Sequence, residues 1–331
     1  MKTFPYVDFF EDQLKLAKQG FADAQYNLGV MYFNGRGITK NDNTAVMWYT
    51  KAAEQGDAAA QYNLGSMYQN GEGVPENYKT AVMWYTKAAE QGYADAQYNL
   101  GVMYFNGRGI PKNDNTAVMW YTKAAEQGDA AAQYNLGSMY QNGEGVPENY
   151  KTAVMWYTKA AEQGYADAQY NLGVMYFNGR GIPKNDNTAV MWYTKAAEQG
   201  FAYAQYNLSR MYFNGEGVPK NDKTAFMWIT KAAEQGHPEH QYNLGLMYFN
   251  GRGISKNDKT AVMWHTKAAD QGHVAARANL GLMYIKGNGV SQNDMMGYFW
   301  SLMAQASGDE VAKHNLEILR KRMTAEQIAK A

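Results

Sequence analysis

The side chains with the greatest capacity for chemistry are four histidines, His237, His240, His265 and His273. His237 and His240 stand three residues apart, so on a helix they share a face. His273 follows His237 by 36 residues, and His265 lies between them. Imidazole is a common metal ligand, which makes a zinc site the first reading to test. The spacing argues against it. A separation of one full period puts His237 and His273 on neighbouring helices, whose axes pack about 8–10 Å apart, whereas zinc–nitrogen bonds are about 2.0–2.1 Å. The chain has no cysteine, so thiolate zinc sites and disulfides are excluded. These histidines read as solvated or partner-contacting groups, and neither a metal nor a cofactor is expected. No S-x-x-K, G-x-S-x-G, H-E-x-x-H or P-loop pattern is present. The G-x-G turns have only two glycines and follow predicted helices rather than strands, so they are not dinucleotide loops. Most polar residues, among them Lys51, Glu54 and Gln55, recur at fixed positions, whereas an active site needs one unique constellation. No catalytic residue is assigned, and the chain reads as a non-enzyme.

A stripe of aromatic residues carries the stronger signal. Tyr26, Val30 and Phe33 lie at i, i+4 and i+7, beside the apolar face of a predicted helix. Tyr26 recurs as Tyr62, Tyr98, Tyr134, Tyr170, Tyr206 and Tyr242. Phe33 recurs as Phe105, Phe177, Phe213 and Phe249, alternating early in the chain with Gln69 and Gln141. Position 30 varies most, through Ser66, Val102, Ser138, Val174, Arg210, Leu246 and Leu282. One reading is packing against the neighbouring unit. The other is a lane for a partner, because aromatic and arginine side chains anchor protein interfaces. On that reading the partner-binding residues are Tyr26, Tyr62, Tyr98, Tyr134, Tyr170, Tyr206, Tyr242, Phe105, Phe177, Arg210, Phe213 and Phe249. Asn27 and its equivalents through Asn279 could hold a partner's backbone or a neighbouring turn. Departures from the pattern gather late in the chain, at Tyr203, Ser209, Arg210, His237, His240 and Arg277.

The elements behind this stripe repeat every 36 residues. Gly20 through Gly308 and Trp48 through Trp300 keep that spacing, and residues 57–128 are identical to 129–200. The units run 21–56, 57–92, 93–128, 129–164, 165–200, 201–236, 237–272 and 273–308. In the first, Ala24, Leu28, Met31 and Tyr32 form one apolar helical face, and Asn34-Gly35 stops the helix. Asp42 is predicted to cap a second helix, on which Ala45, Trp48, Ala52 and Ala53 share a face before Gly56. Gly29 and Ala24 permit close helix approach, and each Trp is expected to fill the groove between units. Burying about 150–250 Å² of indole at roughly 25 cal/mol per Å² contributes on the order of 4–6 kcal/mol per repeat before entropy. The fold class is therefore all-α, a solenoid of eight 36-residue helix-turn-helix repeats. Residues 1–20 form an N-terminal cap, with a helix predicted over 8–19 starting at Asp8. Residues 309–331 form C-terminal capping helices, one over 309–321 with Leu316 in register and a short one announced by the capping-box spacing of Thr324 and Gln327.

Composition narrows the partners. Thirty-one basic residues balance 31 acidic ones, so the basic excess of a nucleic-acid binder is missing. No apolar run approaches the about 18 residues needed to cross a bilayer, and membrane insertion is not expected. The N-terminal sequence has acidic residues where a signal peptide's apolar stretch would lie. A cytoplasmic location is expected, with export by a non-classical route left open.

The pattern A-x-x-x-L-G-x-M-Y-x-x-G-x-G-[VI], followed by A-x-x-W-x-x-K-A-A-E-Q-G, resembles the Sel-one-like repeat family, relatives of the tetratricopeptide repeats. The resemblance covers residues 21–308. It implies a right-handed α/α superhelix whose first helices line the concave face, and adaptor, signalling or host-interaction roles, mostly in bacteria. Some secreted members carry a disulfide in each repeat, which this chain cannot form. The expected function is a scaffold that binds a protein or peptide on the concave face. Family analogy adds a narrower version, an immunity or inhibitor protein that neutralises a bacterial toxin or effector. A β-lactam-binding or hydrolase protein and a self-assembling structural role are the alternatives from other classes.

Overall fold

The computed structural model describes residues 5–331, with side chains from Phe9 onward. Among the described residues all regular structure is helical. The helices come in pairs, the two members of each packed together, as expected for a solenoid of helix-turn-helix units. They divide into two compact units, one running to Tyr165 and the other from Ala166 to Ala331.

In the first unit, Pro5–Lys18 is followed by four pairs, beginning with Ala22–Asn34 and Asp42–Glu54 and ending with Ala130–Asn142 and Tyr150–Glu162. Four further pairs make up the second unit, from Ala166–Asn178 and Asp186–Glu198 to Val274–Lys286 and Asp294–Gln305; Glu310–Arg320 and Ala325–Lys330 close it. The N-terminal helix begins earlier than expected, at Pro5, where a fixed φ and a missing N–H suit a first helical position. Residues 1–4 of the expected cap lie outside the described residues.

The second helices are capped by Asn41 and its equivalents rather than by Asp42. Asn41 has extended backbone (φ −152°, ψ 100°), and its Oδ1 accepts from the Thr44 N–H at 2.9 Å. Asp42 is the first helical residue, 3.3 Å from the Lys40 ammonium. There it faces the positive end of the helix dipole. The stop at Gly35 is as the sequence predicts, with φ 68° and its N–H bonded to the Met31 carbonyl. The second glycine of the turn has another duty. A Cβ on Gly73 would lie 2.5 Å from the Asp42 carbonyl, and its φ is +69°, so close stacking and left-handed backbone both demand glycine.

The core is built at the seams. Trp84 packs with Ala45, Tyr49, Ala52 and Ala53 of the preceding second helix, and with Ala60, Leu64 and Met67 of its own first helix. Trp120 and Trp156 repeat the arrangement in the first unit, as do Trp228 and Trp264 in the second. At the C-terminus Leu316 is fully buried with Leu319 and Tyr298, and Thr324 and Gln327 form the capping box. A buried amide ladder runs beside the apolar core. Gln61 donates to the Ala53 carbonyl at 3.0 Å and accepts from Gln91 at 2.8 Å; Gln205 and Gln235 do the same in the second unit. Each buried amide is thereby paired, as burial of a polar group requires. At Arg277 a guanidinium takes over this role, donating to the Ala269 carbonyl at 3.0 Å.

Candidate functional site

The aromatic stripe lies between successive first helices. Its tyrosines are half-buried, and one side of each ring is packed. Tyr26, Tyr62, Tyr98 and Tyr134 meet the second-helix tyrosines Tyr49, Tyr85, Tyr121 and Tyr157 with centroids 5.8–5.9 Å apart. In the second unit Tyr170 meets Tyr193 at 5.9 Å and Phe201 at 5.0 Å, and Tyr242 meets His265 and stacks on His273. A Cβ on Gly101 would lie 2.7 Å from the Tyr121 ring, so the first-helix glycine is what lets the ring lie flat there.

The asparagines on these helices have several kinds of partner: Asn27 donates to Gln13 at 3.0 Å, Asn243 to the Glu239 carbonyl at 2.7 Å, and Asn279 to the Tyr242 hydroxyl at 3.4 Å. Asn135 lies beside both Tyr98 and Tyr121, and Asn207 beside both Tyr170 and Tyr193. Burial dominates the environment of Tyr121 and Tyr193 and pushes their hydroxyls well above the usual tyrosine range. Burial thus favours the neutral phenol at both positions. Where Gln replaces Phe, Tyr85 donates to Gln69 at 2.9 Å and Tyr157 to Gln141 at 3.1 Å.

The other side of the stripe opens into hollows of one recurring design. Tyr98, Val102 and Phe105 form one wall, Asn135, Ser138 and Met139 of the next first helix form the other, and Tyr121 and Glu144 complete a space of about 280 Å³. In the second unit Tyr170, Val174 and Phe177 face Asn207, Arg210 and Met211 around about 220 Å³. Phe249 and Leu246 face Asn279, Leu282 and Met283 around about 280 Å³. Tyr206, Arg210 and Phe213 face Asn243, Leu246 and Met247 around about 310 Å³. A lysine ammonium lies over each phenylalanine, Lys112 over Phe105 at 5.1 Å and Lys184 over Phe177 at 5.1 Å. An apolar floor with polar, cationic edges suits side-chain capture, and nothing in it resembles a nucleophile paired with a base.

The histidines do not converge on a metal. His240 is buried and stacks on Tyr206 at 4.7 Å. His265 fills the place of a second-helix tyrosine, its ring against Gly245. His273 accepts the Ala276 N–H on Nδ1, so its Nε2 carries the proton toward Glu239, 2.8 Å away. Among the described residues no group of three His, Asp or Glu side chains is placed to hold an ion. No helix among them is long and apolar enough to cross a membrane.

The model of the Sel1 repeat matches eight consecutive segments, 22–57, 58–93, 94–129, 130–165, 166–201, 202–237, 238–273 and 274–309. The chain belongs to the Sel1 repeat family. Two solved Sel1 repeat structures extend the likeness. A protective antigen of uropathogenic Escherichia coli with this repeat fold is 38% identical, with a TM-score of 0.91 over 97% of this chain and 70% of that one. A Sel1 repeat protein from Oxalobacter formigenes is 34% identical, with a TM-score of 0.71 over 94% and 90%. An immunity protein of Pseudomonas aeruginosa shares 25% identity over 64% of this chain and 81% of that one, but its TM-score of 0.37 supports no functional argument. No curated protein matches the chain.

Within this Sel1 repeat protein, Tyr98, Tyr170, Tyr206, Phe105, Phe177, Arg210, Phe213 and Phe249 line hollows. Tyr26, Tyr62, Tyr134 and Tyr242 hold the same half-buried register. Sequence reasoning missed the second-helix contribution, Tyr121, Tyr193, Ile229 and His265, and the turn residues Glu144, Glu216 and Arg252. A signal for Ile229 was present: it interrupts an otherwise aromatic column from Tyr49 through His265.

Proposed function

We propose that this Sel1 repeat protein is a non-catalytic scaffold that binds a protein or peptide along the face made by its first helices. The observation that carries the reading is the recurrence of half-open hollows in one register, each with an apolar floor and hydrogen-bonding edges. A chain crossing successive first helices could place a side chain in each, and such additive anchoring is how repeat proteins use extended surfaces. The balanced charge supports a protein partner rather than nucleic acid. An immunity role would be one identity of that partner, a toxin or effector.

The repeat itself supplies the variant for the test. Val102→Ser, Phe105→Gln, Val174→Ser and Phe177→Gln install residues that the equivalent positions 66, 69, 138 and 141 already carry, so folding should survive. Wild type and this lane variant are each used to capture proteins from the native organism's lysate. A stoichiometric partner lost by the lane variant, with an unchanged thermal melt, supports the reading. Equal capture by both places the binding site elsewhere. Turnover of a chromogenic β-lactam that co-purifies with the protein through size exclusion would favour the hydrolase alternative.

A further inference from the structure

One hollow departs from the repeat in three coordinated ways. In the first five repeats a second-helix tyrosine lies against a first-helix glycine. Here the tyrosine is Ile229 and the glycine is Ser209. Ser209 is buried and its hydroxyl donates to the Ala225 carbonyl at 2.7 Å, so the serine is satisfied internally and does not serve the hollow. Loss of the tyrosine ring and hydroxyl leaves an apolar floor of Ile229, Leu246 and Met247 in about 310 Å³.

The third departure is charge. Arg210 replaces the Val, Ser or Leu of other repeats, and Arg252 comes from the next turn. The Arg252 guanidinium lies 4.9 Å from the centre of the Phe213 ring, and that of Arg210 lies 5.9 Å from Tyr206. Neither forms an ion pair with a carboxylate among the described residues, although Glu216 lines the adjoining hollow with Arg210. Two cations held on aromatic faces at the mouth of an apolar pocket are complementary to a carboxylate carried beside an apolar group. The hollow has room for one large side chain, so the acid and the apolar group must be near neighbours in the partner.

We propose that this pocket captures an acidic segment of a partner protein, with a large apolar side chain on Ile229 and Leu246 and an adjacent Asp or Glu carboxylate between Arg210 and Arg252. This rests on the scaffold reading above and names the partner chemistry at one of its hollows. The test uses the full chain and a phage-displayed library of random dodecapeptides. Counter-selection is on Ser209→Gly/Ile229→Tyr, which rebuilds the packing of the other repeats and refills the pocket. Enriched peptides are expected to carry Asp or Glu next to Leu, Ile or Phe. By fluorescence anisotropy they should bind at least about tenfold more weakly to the refilled variant and to Arg210→Val, and more weakly as salt rises from about 0.1 to 0.5 M. Enrichment without acidic residues, equal binding to the refilled variant, or no enrichment overturns the proposal. If the pocket fails while a lysate partner still depends on Val102, Phe105, Val174 and Phe177, the wider scaffold reading stands; if no partner depends on those residues either, both fall.

Discussion

At the scale of single residues, the fit between glycine and tyrosine decides whether the stripe can form. Gly101→Ala puts a Cβ 2.7 Å from the Tyr121 ring and is expected to destabilise by about 1–3 kcal/mol. In a Tyr121→Ile background the same alanine should be nearly neutral, because Ser209 and Ile229 already make that pair in this chain. A double-mutant cycle by urea unfolding measures the coupling. His265 provides a second check. Burial, assisted by the nearby His273, lowers its pKa to about 4 from an ordinary 6.5. The neutral ring is favoured in the fold, so its contribution is complete above pH 6.5 and is lost as pH falls toward 4, with about 2 kcal/mol gone by pH 5. His265→Tyr, the residue of the first five repeats, should therefore reduce the drop in melting temperature between pH 7 and pH 5. His240 is also shifted downward, by burial and then by His237, but it is common to both proteins and cancels in the difference. An equal drop in the two would refute the assignment.

At the scale of elements, the helix starts depend on which of two adjacent polar residues leaves the helix. Asn113 has φ −152° and accepts the Thr116 N–H. Asn113→Ala should cost about 1 kcal/mol. Asp114→Ala should cost less than half of that, since its ion pair with Lys112 is long, at 3.4 Å, and the ammonium end is exposed. Urea midpoints of the two variants give the order directly. The sequence pair Asn-Asp contains two good caps, and composition cannot rank them; the backbone dihedral does. The stops were legible because only glycine combines a φ near +70° with the end of an apolar period. The glutamine ladder was not legible as buried. Gln61 looks like a solvated side chain in a linear pattern, and its burial follows from the neighbouring Ala53 carbonyl and Gln91 amide that receive it.

On the scale of the whole molecule, contacts within each compact unit run mainly between neighbouring helices, so damage should stay local. Trp120→Ala removes an indole packed on Ala81, Ala88, Leu100 and Met103 and is expected to cost about 3–5 kcal/mol. Amide exchange should accelerate over helices Tyr78–Glu90, Ala94–Asn106 and Asp114–Glu126. Protection in Asp294–Gln305 and Glu310–Arg320 should stay as it was. A uniform loss across the chain would mean that the repeats unfold as one block.

The amino-acid sequence by itself determined the helix pairs, their 36-residue period, the seam tryptophans and the register of Tyr26 and Phe33, because these follow from local periodicity and from residues with one backbone use. Tertiary structure decided which side of the stripe is packed and which lines a hollow. That depends on second-helix residues such as Tyr121, Tyr193 and Ile229, which lie beyond the reach of a single helix's pattern. Stacking likewise decided that Asn135 lies beside two tyrosines, and that Met47 and its equivalents, apolar by type, stand about half exposed. In each case a side chain's role is set by the element packed against it, and the spacing of one helix carries no record of that neighbour.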